Sequence, residues 1–379
     1  MEKSKKALLP VLLCYIVIGF VDIIGVSTGY AQRDFNLSPE LAQLIPASVF
    51  IWFFILSIPV GILQHNHGKR KMLLLGILFT AIGMFIPFLV YTFASLLCCF
   101  VLLGIGNTII QVSSNPLLQD VIHKNKLSSF MSLSQFIKAI SSLLGPIIVT
   151  AMVVQFSDWK LVFLIYGITS VLCGAWLALS PIVESKSEMT ASFKSSIALL
   201  KNPFIAFMVL AIFLLVGLDV GMNTNIQNLL VQKFDVSLQQ ASLGISIYFT
   251  ALMISRLLGA MVLARINNKR FLIWSSLLTV VFLVLLIISP SSLFATIFIF
   301  LVGLSSGNLF PLVFSMTIST MPERSNEISG LMIMAVVGGA IIPPIMGVVN
   351  NAMGISASFV VLLICALYVF LSGLWLKSR

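Results

Sequence analysis

The sequence predicts an all-α membrane protein: twelve transmembrane helices in two pseudo-symmetric six-helix bundles. Three observations carry this. Only 9% of the 379 residues are charged and 59% are hydrophobic, with a mean hydropathy of +1.11, more apolar surface than a soluble domain can cover. The apolar residues fall in long runs, and a helix needs about 20 of them to cross the hydrocarbon layer. Lipid-exposed backbone must satisfy its own hydrogen bonds, so such runs are helices. Third, the second half of the chain repeats features of the first.

The first run, Ala7 to Tyr30, is too long for a signal h-region and lacks a cleavage pattern, so it reads as the first span. The others fall near 40–63, 72–92, 94–118, 128–154, 159–182, 203–230, 238–264, 271–289, 292–320, 328–351 and 355–376. They leave no room for a soluble catalytic domain. The most polar long connection, residues 184–202, contains ESKSEMTASFKSS and predicts a cytoplasmic linker with a short interfacial helix around Phe193–Leu200. The expected domains are therefore 1–183, an N-terminal six-helix bundle, and 203–379, its C-terminal counterpart.

The net charge of +10 is a topology signal. Counted alternately from an inside amino terminus, one side collects Lys3, Lys5, Lys6, Lys69, Arg70, Lys71, Lys124, Lys126, Lys186, Lys194, Lys201, Arg265, Lys269, Arg270, Arg324, Lys377 and Arg379. The opposite loops hold only Arg33, Lys160 and Lys233. Cytoplasmic loops carry the excess of Lys and Arg, which places both termini inside, in a bacterial inner (plasma) membrane. Nucleic acid is not an expected partner. Membrane lipid is, and a monomer is the expected state. The five cysteines lie within apolar runs with neither disulfide nor ligand spacing. His65, His67 and His123 all fall in cytoplasmic loops and form no metal set, and no phosphate-loop, zinc-protease or hydrolase motif is present. An enzyme is not expected, nor is a cofactor other than a coupling ion.

The repeat is visible around the loops. Phe35-Asn36-Leu37-Ser38 followed by Ala42 matches Phe234-Asp235-Val236-Ser237 followed by Ala241. Gly61 with Gly68-Lys69-Arg70-Lys71 is answered by Gly259 with Asn267-Asn268-Lys269-Arg270 at nearly the same offset. Duplication of a six-helix unit is how many secondary carriers are built, with substrate bound at midplane between the halves.

Ionisable groups at membrane depth cost several kcal/mol and mark function by default. Asp22 falls in the first span, Lys138 in the fifth, Asp219 in the seventh and Arg256 in the eighth. Asp22 suits a carboxyl that picks up and releases a proton, the alternative being an ion pair with Lys138. Asp219 falls closer to a span end and Arg256 near the cytoplasmic end, where a structural role is at least as well supported. Neutral polar groups cluster as well. The fourth span carries Asn107, Gln111, Ser114 and Asn115-Pro116, with Gln111 and Asn115 on one face. Pro116 invites a kink there. The fifth span carries Ser134, Gln135 and Lys138, and the seventh Asn223, Asn225, Gln227 and Asn228. Amides match sugar hydroxyls with both donor and acceptor. Trp52, Tyr15 or Phe20 could stack on a sugar ring. The rival reading of these amides is helix–helix glue. Gly303 to Asn308 then Pro311, and Gly338-Gly339 then Pro343-Pro344, permit close approach and breaks in the tenth and eleventh spans.

These residues resemble a known family. The doubled plan and the Gly61…Gly68-Lys69-Arg70 loop are similar to the major facilitator superfamily, with His65 where that loop usually has an acid. Gln111-Val112-Ser113-Ser114-Asn115-Pro116, Gly307 to Ser315 and Met334 to Pro344 resemble the fourth-, tenth- and eleventh-span signatures of the fucose:proton symporter family, in its glucose/galactose permease-like branch. The resemblance implies uptake of a monosaccharide by alternating access, driven by protons or by sodium. It makes Asp22 the proton-coupling group and Gln135 a sugar contact. Gln111 stands where the fucose carriers have glutamate, and Lys138 where the family commonly has asparagine. A cation there could hold Asp22 ionised, or receive an acidic sugar. The substrate-binding set read from the sequence is Gln111, Asn115, Gln135, Lys138, Asn223 and Asn308. The alternative is an exporter of drugs or metabolites on the same scaffold.

Overall fold

A computed structural model describes residues 2–37, 44–122, 126–184, 193–236 and 238–375. Ser38, Ala42, His123, Lys124, Lys186, Ser237, Lys377 and Arg379 lie outside the described residues, as does 185–192 of the linker. So do the side chains of Lys3, Lys5, Lys6, Arg33 and Gln227.

The described chain is helical, without strands. In order the helices are α1 (Glu2–Gly19), α2 (Ile24–Asp34), α3 (Leu44–His67), α4 (Lys69–Leu89), α5 (Phe93–Val121), α6 (Leu127–Phe156), α7 (Leu161–Leu179) and α8 (Phe193–Ala198). There follow α9 (Pro203–Phe234), α10 (Leu238–Val262), α11 (Asn268–Ile287), α12 (Ser292–Ser306), α13 (Leu309–Ile318), α14 (Ser325–Met334), α15 (Gly338–Met353) and α16 (Ile355–Trp375). Eleven described segments are long and apolar enough to cross a membrane, and the first run supplies a shorter apolar helix, Leu8–Ile23. Large apolar side chains such as Phe54, Leu172 and Ile364 stand exposed, as expected where lipid is the solvent.

Local chemistry sets the ends and breaks. Thr92 and Ser95 form a capping box at the start of α5, and the Asn267 side chain accepts from the Arg270 N–H at the start of α11. The first span breaks into a 3-10 segment, Phe20–Ile23. The tenth breaks at Gly307–Asn308, between α12 and α13. The eleventh breaks at Ala335–Val337, just before the glycine pair, while Pro343 and Pro344 stay inside α15.

Pro116 does not end α5, which continues to Val121. A proline lacks the N–H that would bond the carbonyl four residues back. That carbonyl, Val112, instead accepts from the Ser329 hydroxyl of α14 at 2.7 Å.

The chain forms two compact units, both discontinuous in sequence. The first comprises Met1–Lys124, Ile137–Ile197 and Met321–Met334. In it α4 packs on α5 and α7, and α3 and α14 pack on each other and on α5. The α4–α5 approach requires glycine, because a Cβ on Gly76 would stand 2.8 Å from the Gly106 carbonyl. The second comprises Asn125–Phe136, Ala198–Thr320 and Ala335–Arg379. There α9 packs on α10, α15 and α16, and α11 on α12 and α16, around a core that includes Met222, Tyr248, Leu283, Val302, Met346 and Phe359.

The repeat has a backbone signature. Asn36 and Asp235, matched positions of the two halves, are both non-glycine residues in the left-handed region, at φ 50° and 51°. Such conformations are uncommon outside glycine, Asn and Asp. Their recurrence at the same register supports duplication.

Candidate functional site

In the first unit the polar residues of three spans interlock. Asp22 sits in the 3-10 segment that breaks the first span. The Ser142 hydroxyl of α6 donates to Asp22 Oδ2, and its oxygen also lies 3.0 Å from the Lys138 carbonyl, one turn back. Lys138 Nζ stands 3.9 Å from the same Asp22 oxygen, with the two side chains 22% and 31% exposed. The ion pair weighed from sequence is therefore formed, at the long end of contact distance. Phe20 is stacked on Tyr166 at 3.8 Å between ring centroids, so it packs helices and offers no free face.

A second line of bonds runs along α5. Tyr15 donates its hydroxyl to Asn115 Oδ1 at 2.7 Å, and Asn115 Nδ2 donates to the Gln111 carbonyl at 3.0 Å. Gln111 Nε2 donates to Asn107 Oδ1 at 2.6 Å. Asn107 Nδ2 in turn donates at 3.0 Å to the Ile18 carbonyl, just ahead of the break. Ser141 does the same for the Ile16 carbonyl at 2.8 Å. This face of α5 thus braces the first span where its backbone departs from α-geometry. Spacing brought Gln111 and Asn115 together; Tyr15, read as a stacking ring, serves through its hydroxyl instead. The Trp52 indole N–H is buried without a partner among the described residues.

The loop between α3 and α4 is held by charge. Lys69 Nζ lies 2.6 Å from Asp120, with both side chains buried. Glu184 accepts from the Lys69 and Arg70 N–H groups at 2.5 and 3.2 Å. Gly68 holds φ +90° at the turn, a region that favours glycine. On α14, Glu327 pairs with Arg324 at 2.6 Å and accepts from Ser195 at 2.6 Å. At the other end of the unit, Asp34 accepts from Tyr91 Oη at 2.8 Å and Trp159 Nε1 at 2.9 Å. Burial, and then this bond, push the Tyr91 phenol well above its ordinary range.

The remaining residues of the expected set belong to the second unit. Gln135 is buried, and Asn223 is half-buried on α9. Asn308, at the break of the tenth span, is buried and already engaged. Its Nδ2 donates to Ser255 Oγ at 2.9 Å and to the Ser255 carbonyl, and its Oδ1 accepts from Ser132. Its amide thus ties the break of the tenth span to α10 and to α6. Asn225 is likewise turned inward, donating to the Gly221 carbonyl at 3.1 Å.

Asp219, on α9, accepts from the Tyr248 hydroxyl of α10 at 2.8 Å. Arg256 is directed to the Gly307 carbonyl at 3.3 Å. Sequence spacing gave no signal for either bond.

Comparison with known proteins places this architecture. The Major Facilitator Superfamily model matches residues 11–226 and 209–379. The chain belongs to the major facilitator superfamily. Its curated relatives include the glucose/galactose transporter of Brucella abortus, 23% identical with 97% of this chain and 93% of the relative covered. The putative glucose/galactose transporter of Helicobacter pylori is 24% identical, with 95% and 94% covered. Among solved structures, the E. coli fucose:proton symporter superposes with a TM-score of 0.85 at 18% identity, covering 99% of this chain and 98% of that one. The fold is therefore the all-α superfamily plan of two six-helix bundles, and the protein is a multi-pass membrane transporter rather than an enzyme.

Proposed function

We propose that this superfamily member imports a monosaccharide, a hexose or hexose derivative, by proton-coupled symport with alternating access. Residues 1–183 and 203–379 form its two halves, joined by the linker 184–202, in a bacterial inner membrane with both termini cytoplasmic. The observation that carries the reading is the Tyr15–Asn115–Gln111–Asn107 line of donors and acceptors beside the broken first span. Such amides match a ring of hydroxyls, and the relatives named for glucose and galactose support a hexose-sized substrate.

Asp22 is the proton-coupling group in this reading. Its protonation releases Lys138, and the freed ammonium then sets whether a neutral or an acidic sugar is taken. Gln111, Asn115, Gln135, Lys138, Asn223 and Asn308 are its proposed substrate contacts, with the buried Trp52 N–H as a further donor. The test is counterflow in proteoliposomes of the purified protein, screened against neutral and acidic monosaccharides. Saturable exchange of at least one hexose or hexose derivative is expected; exchange of none, with export of an apolar compound instead, overturns the reading.

A further inference from the structure

The two compact units cut across the two halves of the sequence at two counterpart spans. Residues Asn125–Phe136, at the start of the fifth span, belong to the second unit, and Met321–Met334, at the start of the eleventh, belong to the first. We propose that these segments are hydroxyl latches, Ser128, Ser129 and Ser132 in one and Ser329 in the other. They hold one end of the carrier shut and release together when that end opens. The proposal deepens the alternating-access reading and rests on it.

In the second unit, Ser128 Oγ stands 2.7 Å from Ser315 Oγ and accepts from Asn268 Nδ2 at 2.8 Å. Ser129 donates to the Ala260 carbonyl. The Ser132 oxygen lies 2.7 Å from the Arg256 carbonyl and against Asn308 Oδ1. Each of these partners comes from the second half of the sequence. In the first unit the relation is reversed. Ser329 of the eleventh span donates to the Val112 carbonyl at 2.7 Å, and Gln64 Nε2 donates to the Asn326 carbonyl at 3.4 Å. Two glycines let the backbones of α3 and α14 meet. A Cβ on Gly61 would stand 2.8 Å from the Asn326 carbonyl oxygen, and one on Gly330 2.8 Å from that of Ser57.

These bonds between the halves join neutral groups. The ion pairs Lys69–Asp120, Lys138–Asp22, Lys160–Asp158 and Arg324–Glu327 each stay within one half. The division has a physical use. Parting a buried ion pair strands charge in a low-dielectric interior. A hydroxyl or amide parted from its acceptor is satisfied instead by the water that enters with the opening, so the net loss is small. Ion pairs therefore stiffen a half, and hydroxyl bonds can break and reform in each cycle.

Both segments begin at the end of their spans that the count of Lys and Arg makes cytoplasmic. The eleventh span passes from one unit to the other between Met334 and Ala335, where its helix breaks into the 3-10 turn Ala335–Val337. Such a turn is a place to hinge. α6 is unbroken at its own crossing, between Phe136 and Ile137, so it moves as one piece. Both latches join the same two halves, so parting the halves breaks both, and the end has two states, shut or open.

The test places spin labels at Lys126→Cys and Arg265→Cys, both exposed, in the full-length protein in lipid nanodiscs, with Cys14, Cys98, Cys99, Cys173 and Cys365 replaced by alanine. Lys126 adjoins the latch of the fifth span and Arg265 follows α10, so release should lengthen the distance between them. In pulsed electron resonance without sugar, the ratio of long to short distances should rise roughly tenfold in Ser129→Ala/Ser132→Ala. Ser329→Ala, in the other unit, should raise the same ratio, because the latches release together. Ser170→Ala is the control. Ser170 is fully buried and its hydroxyl bonds the Tyr166 carbonyl of its own helix, so its loss should leave the distances unchanged. Distances that stay unchanged in either latch variant, or that lengthen as much in Ser170→Ala, overturn the proposal. Should the double variant fail to fold, Ser129→Ala alone is read by the same criterion. Failure of every sugar in counterflow would sink the symport reading, and the distances would still decide the latches.

Discussion

The Ser329 hydroxyl donates to the Val112 carbonyl at 2.7 Å, the acceptor that Pro116 leaves without its helical donor. A proline in the fourth span and a serine in the eleventh are thus one feature of the first unit. Ser329→Ala should destabilise the protein by about 1–3 kcal/mol, since a buried carbonyl is left without a donor. Pro116→Ala restores the N–H within α5. In that background, Ser329→Ala should cost clearly less. Thermal unfolding of the two single variants and the double variant measures the coupling; equal costs in both backgrounds would contradict it.

Lys69 and Asp120 meet at 2.6 Å with side chains only 5% and 7% exposed. Removing one member leaves the other charge buried, so Lys69→Met should cost about 3–5 kcal/mol. The pair Lys160–Asp158, at 3.5 Å and about a third exposed, is solvated, and Lys160→Ala should cost at most about 1 kcal/mol. Detergent melting curves of the two variants should separate by several degrees. Equal melting temperatures would show that burial does not govern these pairs.

The same glycine change should have opposite signs at two sites of the second unit. A Cβ on Gly259 would run into the Asn308 amide, itself held by Ser255 and Ser132, so Gly259→Ala should lower the melting temperature. Gly347, inside α15, has nothing within 4 Å of its added Cβ. There Gly347→Ala should stabilise by up to about 1 kcal/mol through helix propensity. A Gly259→Ala variant as stable as wild type would show that the Asn308 amide is not held fixed against α10.

Lys138 faces Asp22 at 3.9 Å with a fifth of its side chain exposed, close enough to answer its charge and open enough to leave it. If Lys138 receives a sugar carboxylate, Lys138→Asn should lose acidic substrates selectively while neutral ones still bind. Ligand-induced thermal shifts with matched neutral and acidic sugars measure this. Identical selectivity in both proteins would exclude the role.

Much of the fold was legible because its causes are local. Apolar runs gave the spans, the Gly307–Asn308 pair gave the break in the tenth, and Gln111 and Asn115 share a face by helical period alone. The Asp22–Lys138 pair could be named because membrane charges are so few. What sequence did not show depends on contacts between distant segments. Tyr15 meets Asn115 across 100 residues and Ser329 meets Val112 across 217, and neither leaves a periodic trace. Asn223 to Asn228 interrupt the apolar run of the seventh span, while the helix itself continues to Phe234. The bonds of Asn308 to Ser255 and Ser132 were hidden for a related reason: a letter does not show which distant segment an amide meets.

The central claim is coupled uptake through Asp22, and gradient-driven accumulation tests it most directly. Proteoliposomes with an imposed pH gradient should concentrate the sugar identified by counterflow, and a protonophore should abolish that accumulation. In Asp22→Asn, accumulation should be lost while counterflow remains measurable. Uphill accumulation undiminished in Asp22→Asn, or indifferent to the protonophore, would contradict the account.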